Sequence, residues 1–487
     1  MNRTNKISVI SFLIYIITVS SCKKDKFTTD SGAKLEFSTN SILYDTVFTT
    51  VGSATKTFIV YNRNSQPIKI SSIRLGGGTA SNFRINVDGS KGVLFSDVEI
   101  MGRDSLFVFA EVTVDPNKAS NPLIIRDSVI FETNGNVQDV DFEAWGQDAY
   151  FHTPDVFPLN GFPPYSVITC NAIWQNDKPH VIYGYAVVDS ACTLTMNPGT
   201  RVYMHPNSVL YVYRGGSLKI KGNISMPVTI QGDRLEPQYS EEAGQWGYIH
   251  LSPESKDNEI DGAVVKNGIV GILADTVGNS ASPTLKISNT IVKNMSVAAI
   301  YGRGTFIKGW NCVFANCGQY VAALTIGGKY NFYHCTFANY WSNGTRQFPV
   351  LLVNNYYEDV NKNIISRDLD SAYFYNCIVY GDLSSGDELK LDSSLNISFA
   401  YNFKFHNCLL KTTLNTAAIE YESVIANADP YFHNTGNNDY RIKNPLAEPA
   451  VIFKGDPAIG SLYPDDLSGK SRLANPPPTI GAYEYEP

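Results

Sequence analysis

The sequence predicts an all-β protein: a sandwich of short strands near the N-terminus, followed by a right-handed parallel β-helix with a C-terminal cap. Three observations carry that expectation. Only 17% of the 487 residues are charged while Gly and Tyr number 37 and 29, and the Lys, Glu, Ala and Leu alternation of helical bundles is missing. Apolar pairs recur every eight residues through the middle of the chain, and a short motif of a small residue, a large apolar residue and Asn returns at steps in the twenties. The length calls for more than one domain. With 39 basic against 46 acidic residues, the chain lacks the basic excess that nucleic-acid binding needs, so nucleic acid is not an expected partner.

The first 21 residues stand apart from the fold. Arg3 and Lys6 precede an apolar run over residues 7–19, too short to span a bilayer comfortably and followed by small residues, as in a secretory signal. The tetrad Val19-Ser20-Ser21-Cys22 resembles a bacterial lipobox. That resemblance implies cleavage before Cys22, a diacylglycerol on its thiol and acyl chains such as palmitate as the membrane anchor. Cleavage would remove two of the 39 basic residues and take the net charge from −7 to −9. Residues 22–33 are polar, as a tether should be. The expected address is an outer membrane or cell surface, reached by export and held by lipid alone.

Residues 34–149 show strand-like alternation at 34–38, 45–50, 56–62, 67–73, 105–114, 127–133 and 137–145. Seven short strands with turn signals suggest an immunoglobulin-like sandwich without its Cys, Trp and Cys core. Residues 150–165 are aromatic and Pro-rich, and read as a packed linker.

Residues 166–440 carry the β-helix. The pairs Leu194/Met196, Val202/Met204, Leu210/Val212 and Leu218/Ile220 fall eight apart, with Val228/Ile230 ten further on. Residues i and i+2 of a strand face one way, and Pro, Asn and Gly at 197–199, 206–207 and 215–216 mark the corners. Three strands of eight make a coil of 24 residues, stacked about 4.8 Å above the last.

The second motif runs down the later coils. Its small column is Ala263, Thr290, Cys312, Cys335, Cys377 and Cys408; its large column is Val265, Val292, Phe314, Phe337, Val379 and Leu410; Asn267, Asn294, Asn316 and Asn339 follow in the first four. Stacked coils superpose equivalent positions, so the four Cys should form an internal ladder of small side chains, and the Asn should satisfy corner backbone groups. The Cys at 170, 192, 312, 317, 335, 377 and 408 are odd in number and match no zinc spacing, so something other than disulfides is expected to explain them. His334 and His406 adjoin ladder Cys, yet neighbours on a strand point to opposite faces, and no metal site is expected.

The steps between frames are 27, 22, 23, 42 and 31 residues. The two long ones hold insertions at 341–370 and 381–400, and a third irregular segment spans 233–246. Insertions emerge at the surface, where function concentrates. The first combines Tyr356 and Tyr357 with Glu358, Asp359, Arg367 and Asp368: flat rings for pyranose C–H groups, and charged groups for hydroxyls or a uronate. These six are the candidate glycan-binding residues. Six Asp-Ser/Thr-apolar triplets place Thr46, Ser105, Ser128, Ser190, Thr276 and Ser371 in a pattern that resembles a bacterial O-glycosylation acceptor, of which two at most are expected to be used.

Residues 192–223, 244–268 and the coils NCVFANC and HCTFANY resemble the right-handed β-helix (pectate-lyase-like) surface lipoproteins of the Bacteroidota. Residues 429–432, 465–472 and 480–485 (DPYF, DDLSGKSR and IGAYEY) are similar to their C-terminal cap, taken as 441–487, although Thr479 stands where Asp is usual. The family's Ig-like module would precede the helix. The resemblance implies fold and surface setting, and leaves activity open. The tripeptide Arg441-Ile442-Lys443 matches one element of polygalacturonases, but their other elements are absent.

The leading expectation is therefore a surface-anchored, monomeric protein whose β-helix binds polysaccharide or acts as a scaffold, without a cofactor. The alternatives are a polysaccharide lyase or glycoside hydrolase acting through insertion carboxylates, with calcium only in the lyase case, and an adhesin. No catalytic residue is assigned.

Overall fold

The computed structural model describes residues 26–48, 53, 55–113, 123–159, 161–235, 237–275, 281–384, 386–442, 450–473 and 477–486. Cys22 and Thr276 lie outside them. The chain divides into two compact units, Met1–Asp148 and Ala149–Pro487.

The first unit is a β-sandwich of two five-stranded sheets. One runs in the order Glu36–Phe37, Lys56–Tyr61, Ser105–Val112, Phe83–Val87 and Ser90–Gly92. The other runs Ser41–Phe48, Asn136–Gln147, Leu123–Thr133, Ile68–Leu75 and Leu94–Ile100, and pairs the first two of these in parallel. Alternation drives it: Phe58, Val60, Phe83, Ile85, Phe131 and Phe142 are all buried between the sheets.

The second unit is a parallel β-helix of three faces. One coil shows the pattern: Tyr185–Val188 lies on the first face, Thr193–Met196 on the second and Arg201–Met204 on the third. Leu194 then pairs with Leu218, and Leu210 with Ile249. The apolar pairs read from the sequence are buried inside the coils without exception. The segment read as a linker supplies the first strand of the third face, Tyr150–His152, paired with His180–Ile182.

Corners explain the Asn and Cys columns together. The residue before each small position has a left-handed backbone: Gly262, Asn289, Asn311, His334, Asn376 and Asn407, with φ between 46° and 72° as at Asn267, Asn294 and Asn316. Asn tolerates that region better than other side chains. The chain then turns inward, so Cys312, Cys335, Cys377 and Cys408 are fully buried. All four are free thiols, and each Sγ donates to the carbonyl two residues back at 3.2 to 3.4 Å. Burial pushes the Cys317 thiol up to about 12.

The expectation that no disulfide accounts for the Cys is corrected at one point. Cys170 and Cys192 are bonded, with S–S 2.01 Å and Cα–Cα 4.9 Å across 22 residues. They occupy equivalent corner positions in successive coils, and stacking alone brings their Cα atoms within the reach a disulfide needs.

The C-terminal cap folds back along the outside of the third face. Tyr440, Leu467 and Ala482 cover Val313, Ala315 and Ala338, and Ile442, Val451, Ile452 and Ile480 cover Ile378 and Leu409. His334 is buried beneath it, with Nε2 2.9 Å from Asn376 Nδ2. Arg441 belongs to the cap strand Asp439–Ile442 and is held by Asp439 at 2.5 Å.

Candidate functional site

The insertion after Leu351–Asn354 forms an antiparallel hairpin, Tyr356–Glu358 against Ile364–Ser366. It brings the six candidate residues into one hairpin and its exit, and uses several of them internally. The Tyr356 hydroxyl donates to Asp392 Oδ2 at 3.0 Å. Asp359 accepts from the Asn363 side-chain amide at 3.0 Å and from the backbone of Asn363 and Asn361, both at 2.8 Å, and these bonds, the side-chain one first, hold its carboxyl below the usual range. Asp368 accepts from Ala400 N at 2.8 Å. Arg367 lies 5.9 Å over the Tyr357 ring, and Glu358 is exposed. Tyr357, Arg367 and Glu358 thus remain turned to the outside, whereas Tyr356, Asp359 and Asp368 tie the hairpin to itself and to the next insertion.

The first face leads into this hairpin and carries a surface that sequence reasoning missed. Its outward residues include aromatics in two neighbouring columns, Tyr165, Tyr185 and Tyr248 in one, with Val209 between the last two, and Tyr211, His250 and Tyr301 in the other, with Leu273 between the last two. Phe162 meets the edges of Tyr165, Tyr185 and Tyr211 with ring centroids 5.5 to 5.8 Å apart. Tyr211 sits 6.3 Å from Tyr185 and 4.9 Å from His250, which is 5.7 Å from Tyr248. Further along, Leu273 pairs with Tyr301, and Tyr320 packs on Phe348 at 5.0 Å. All the tyrosines are partly exposed. Burial, then the Tyr301 phenol and the Asp392 carboxylate, raise the Tyr320 hydroxyl.

A charged cluster sits within the row. Asp275 accepts from His250 Nε2 at 2.8 Å and from Arg303 Nε and Nη2 at 2.5 and 2.7 Å. Burial opposes its charge, but the bonds to His250 and Arg303 prevail and hold its carboxyl below the ordinary range. The arrangement offers rings flanked by fixed donors and acceptors. The signal lay in the outward residues of strands such as LYVY and GYIHLS. Among the described residues, no group of three or more His, Cys, Asp or Glu is placed to hold a metal ion.

Of the glycosylation candidates, Ser371 is buried and the Ser190 hydroxyl donates to Arg214 O at 2.9 Å. Ser105 and Ser128 are partly exposed, and the Thr46 side chain lies outside the described residues.

No known family profile and no curated protein matches the chain. Solved structures share short, weak likenesses. A family 123 glycoside hydrolase from Clostridium perfringens is 11% identical at a TM-score of 0.18, over 28% of this chain and 26% of its own. The PapD-like domain 7 of human CEP192 is 13% identical at 0.16, over 26% of this chain and 92% of its own. The E. coli chaperone DraB is 12% identical at 0.17, over 24% and 55%. The chain thus spans about a quarter of the first and about half of the third. None of these scores carries a functional argument.

Proposed function

We propose that this is a lipid-anchored surface protein whose β-helix binds an extended polysaccharide along its first face. The reading includes export, acylation at Cys22, and kinship with the right-handed β-helix lipoproteins of the Bacteroidota and their Ig-like modules. The observation that carries the binding proposal is the set of partly exposed tyrosines along the first face, Tyr185, Tyr211 and Tyr248 on three successive coils and Tyr301 and Tyr320 on two more beyond the ringless coil Val270–Ala274. Flat rings on the coils of Tyr185, Tyr211, Tyr248, Tyr301 and Tyr320 suit the apolar faces of sugar units, and on the ringless coil Val270–Ala274 between Tyr248 and Tyr301 the His250, Asp275 and Arg303 cluster supplies hydroxyl partners in the small number typical of ligand sites. The hairpin pair Tyr357 and Arg367 extends the row at one end. The lyase or hydrolase alternative is the weaker one, because two of its carboxylates, Asp359 and Asp368, already accept backbone hydrogen bonds.

The experiment is a glycan array probed with residues 22–487 and, in parallel, with Tyr211→Ala/Tyr248→Ala. Wild-type signal on one class of polysaccharide, lost in the variant, supports the reading. Absence of any glycan signal, or equal signal from both, refutes it.

A further inference from the structure

A cavity lies on the third face, where three segments far apart in sequence converge on the Asn column. It has a volume of about 240 Å³, and its lining includes Glu241, Asn294, Asn316, Trp341, Ser342 and Asn438. Glu241 comes from the irregular segment 233–246, Trp341 opens the insertion 341–370, and Asn438 ends a short turn of the cap, Thr435–Asn437.

The polar groups are already arranged around the space. Glu241 Oε2 accepts from Asn294 Nδ2 at 2.5 Å, Lys293 Nζ at 2.8 Å and Asn438 Nδ2 at 3.0 Å, and Lys266 Nζ lies 3.5 Å from its other oxygen. Asn316 donates to Asn438 Oδ1 and accepts from the Tyr440 hydroxyl at 3.0 Å. A left-handed backbone at Asn294, Asn316 and Asn438, with φ of 57°, 50° and 58°, accounts for Asn at these positions. It does not account for an open space between them beside a partly exposed indole. At Gly318 a Cβ would come 3.4 Å from Trp341 Cζ2 and 2.4 Å from Ser296 O, so the missing side chain lets the indole lie close to the coil.

The chemistry narrows the occupant by elimination. Glu241 is already paired with Lys293 and Lys266, so the site does not call for a cation. Neither lysine is among the residues that line the space, so no cationic group faces an anionic guest. Amides and a carboxylate make up most of its wall, which disfavours an apolar guest. A pyranose is a neutral molecule that both donates and accepts hydrogen bonds and presents one apolar C–H face to an indole, and it fits this wall. The volume falls below the roughly 300 to 1,000 Å³ of sites for drug-sized ligands, which limits the guest to about one ring. We propose that this cavity binds a single neutral hexopyranose, either free or as the terminal unit of a chain. The site is built on a different face from the tyrosine row and stands or falls independently of it.

Saturation-transfer difference NMR on residues 22–487 tests this, with glucose, galactose, mannose and N-acetylglucosamine as free sugars and as the non-reducing ends of oligosaccharides. The measurements are made in the Tyr211→Ala/Tyr248→Ala background, which removes the saturation due to the tyrosines of the first face, and there at least one sugar should give ring-proton saturation that falls 10-fold or more in Trp341→Ala. Ser342→Trp, at an exposed position, should block the cavity and abolish the signal even if Trp341→Ala fails to fold. A signal from oligosaccharides alone assigns the site to chain ends, and a signal from free sugars assigns it to monosaccharides. No saturation with any of them, or saturation that survives Ser342→Trp, overturns the proposal.

Discussion

Arg346 grips Glu388 with both terminal guanidinium nitrogens, Nη2 to Oε1 at 2.5 Å and Nη1 to Oε2 at 2.8 Å, and both side chains are almost entirely buried. Glu388 also accepts from the backbone of Val350 at 3.1 Å and Leu383 at 2.8 Å. The two residues belong to different insertions, so one buried pair fixes the segment that leads to the hairpin against the segment that follows it. Removing one partner strands a buried charge, at a cost of about 3 to 5 kcal/mol. Arg346→Met should therefore lower the urea midpoint of the β-helix sharply, whereas Arg346→Met/Glu388→Gln, which keeps an acceptor for Val350, should recover most of the loss. Equal destabilisation by both variants would show that the pair adds nothing beyond its separate contacts.

The cysteines give a chemical test of the coil register. Alkylation after denaturation without reductant should label Cys312, Cys317, Cys335, Cys377 and Cys408, and leave Cys170 and Cys192 unlabelled until reductant is added. Labelling of the ladder only after reduction would place those thiols in bonds that the inward stack does not contain.

Acid should loosen the start of the β-helix. His152 Nε2 lies 3.0 Å from His180 Nδ1, and Trp174 stacks on both rings, at 4.7 and 3.9 Å. Burial lowers His152 to about 4, and burial followed by the charge of His152 lowers His180 to about 3. Both folded values lie below that of an unfolded His, near 6.5, so the unfolded chain takes up protons first as pH falls. The stability of this pair is present in full above about pH 6.5 and is lost as pH drops toward 3 to 4. Thermal melts of His152→Gln/His180→Gln should start lower at pH 8 and fall less than wild type between pH 7 and pH 4. An unchanged slope would remove the pair from the account.

In the hairpin, Tyr356→Phe breaks the bond to Asp392 without removing the ring. It should lower glycan affinity by less than about threefold, whereas Tyr357→Ala, which removes the ring beside Arg367, should lower it by about 10-fold, the order expected for one stacking ring. Titration with the array's best ligand decides between them, and the reverse ranking would make the outward Tyr357 irrelevant.

The fold was legible wherever a period was kept. Leu194 to Leu218 is one coil, and its pairing follows from the eight-residue spacing alone. In the sandwich, Phe83–Val87 went unread although Phe83, Ile85 and Val87 alternate, and Leu94–Ile100 went unread because Asp97, with φ 56°, interrupts its period and most of its side chains are exposed or half-exposed. The disulfide was missed because Cys170 and Cys192 meet through the stacking of corners, which a count of cysteines does not contain. The tyrosine row was hidden for a related reason. Tyr211 pairs with His250 across 39 residues, because the segment 233–246 lengthens that coil, so no fixed spacing connects the rings. Outward ladders become visible only once the inward register is known.

The central claim is that the first face follows a sugar chain from coil to coil. The most direct measurement is calorimetric titration with oligosaccharides of increasing length from the polysaccharide that the array identifies. Affinity should climb with each added unit over several units, and Tyr211→Ala and Tyr248→Ala should each cut the affinity of the longest by about 10-fold with the melting temperature held within a few degrees. Affinity that does not depend on length, or binding that is indifferent to both substitutions in folded protein, would contradict it.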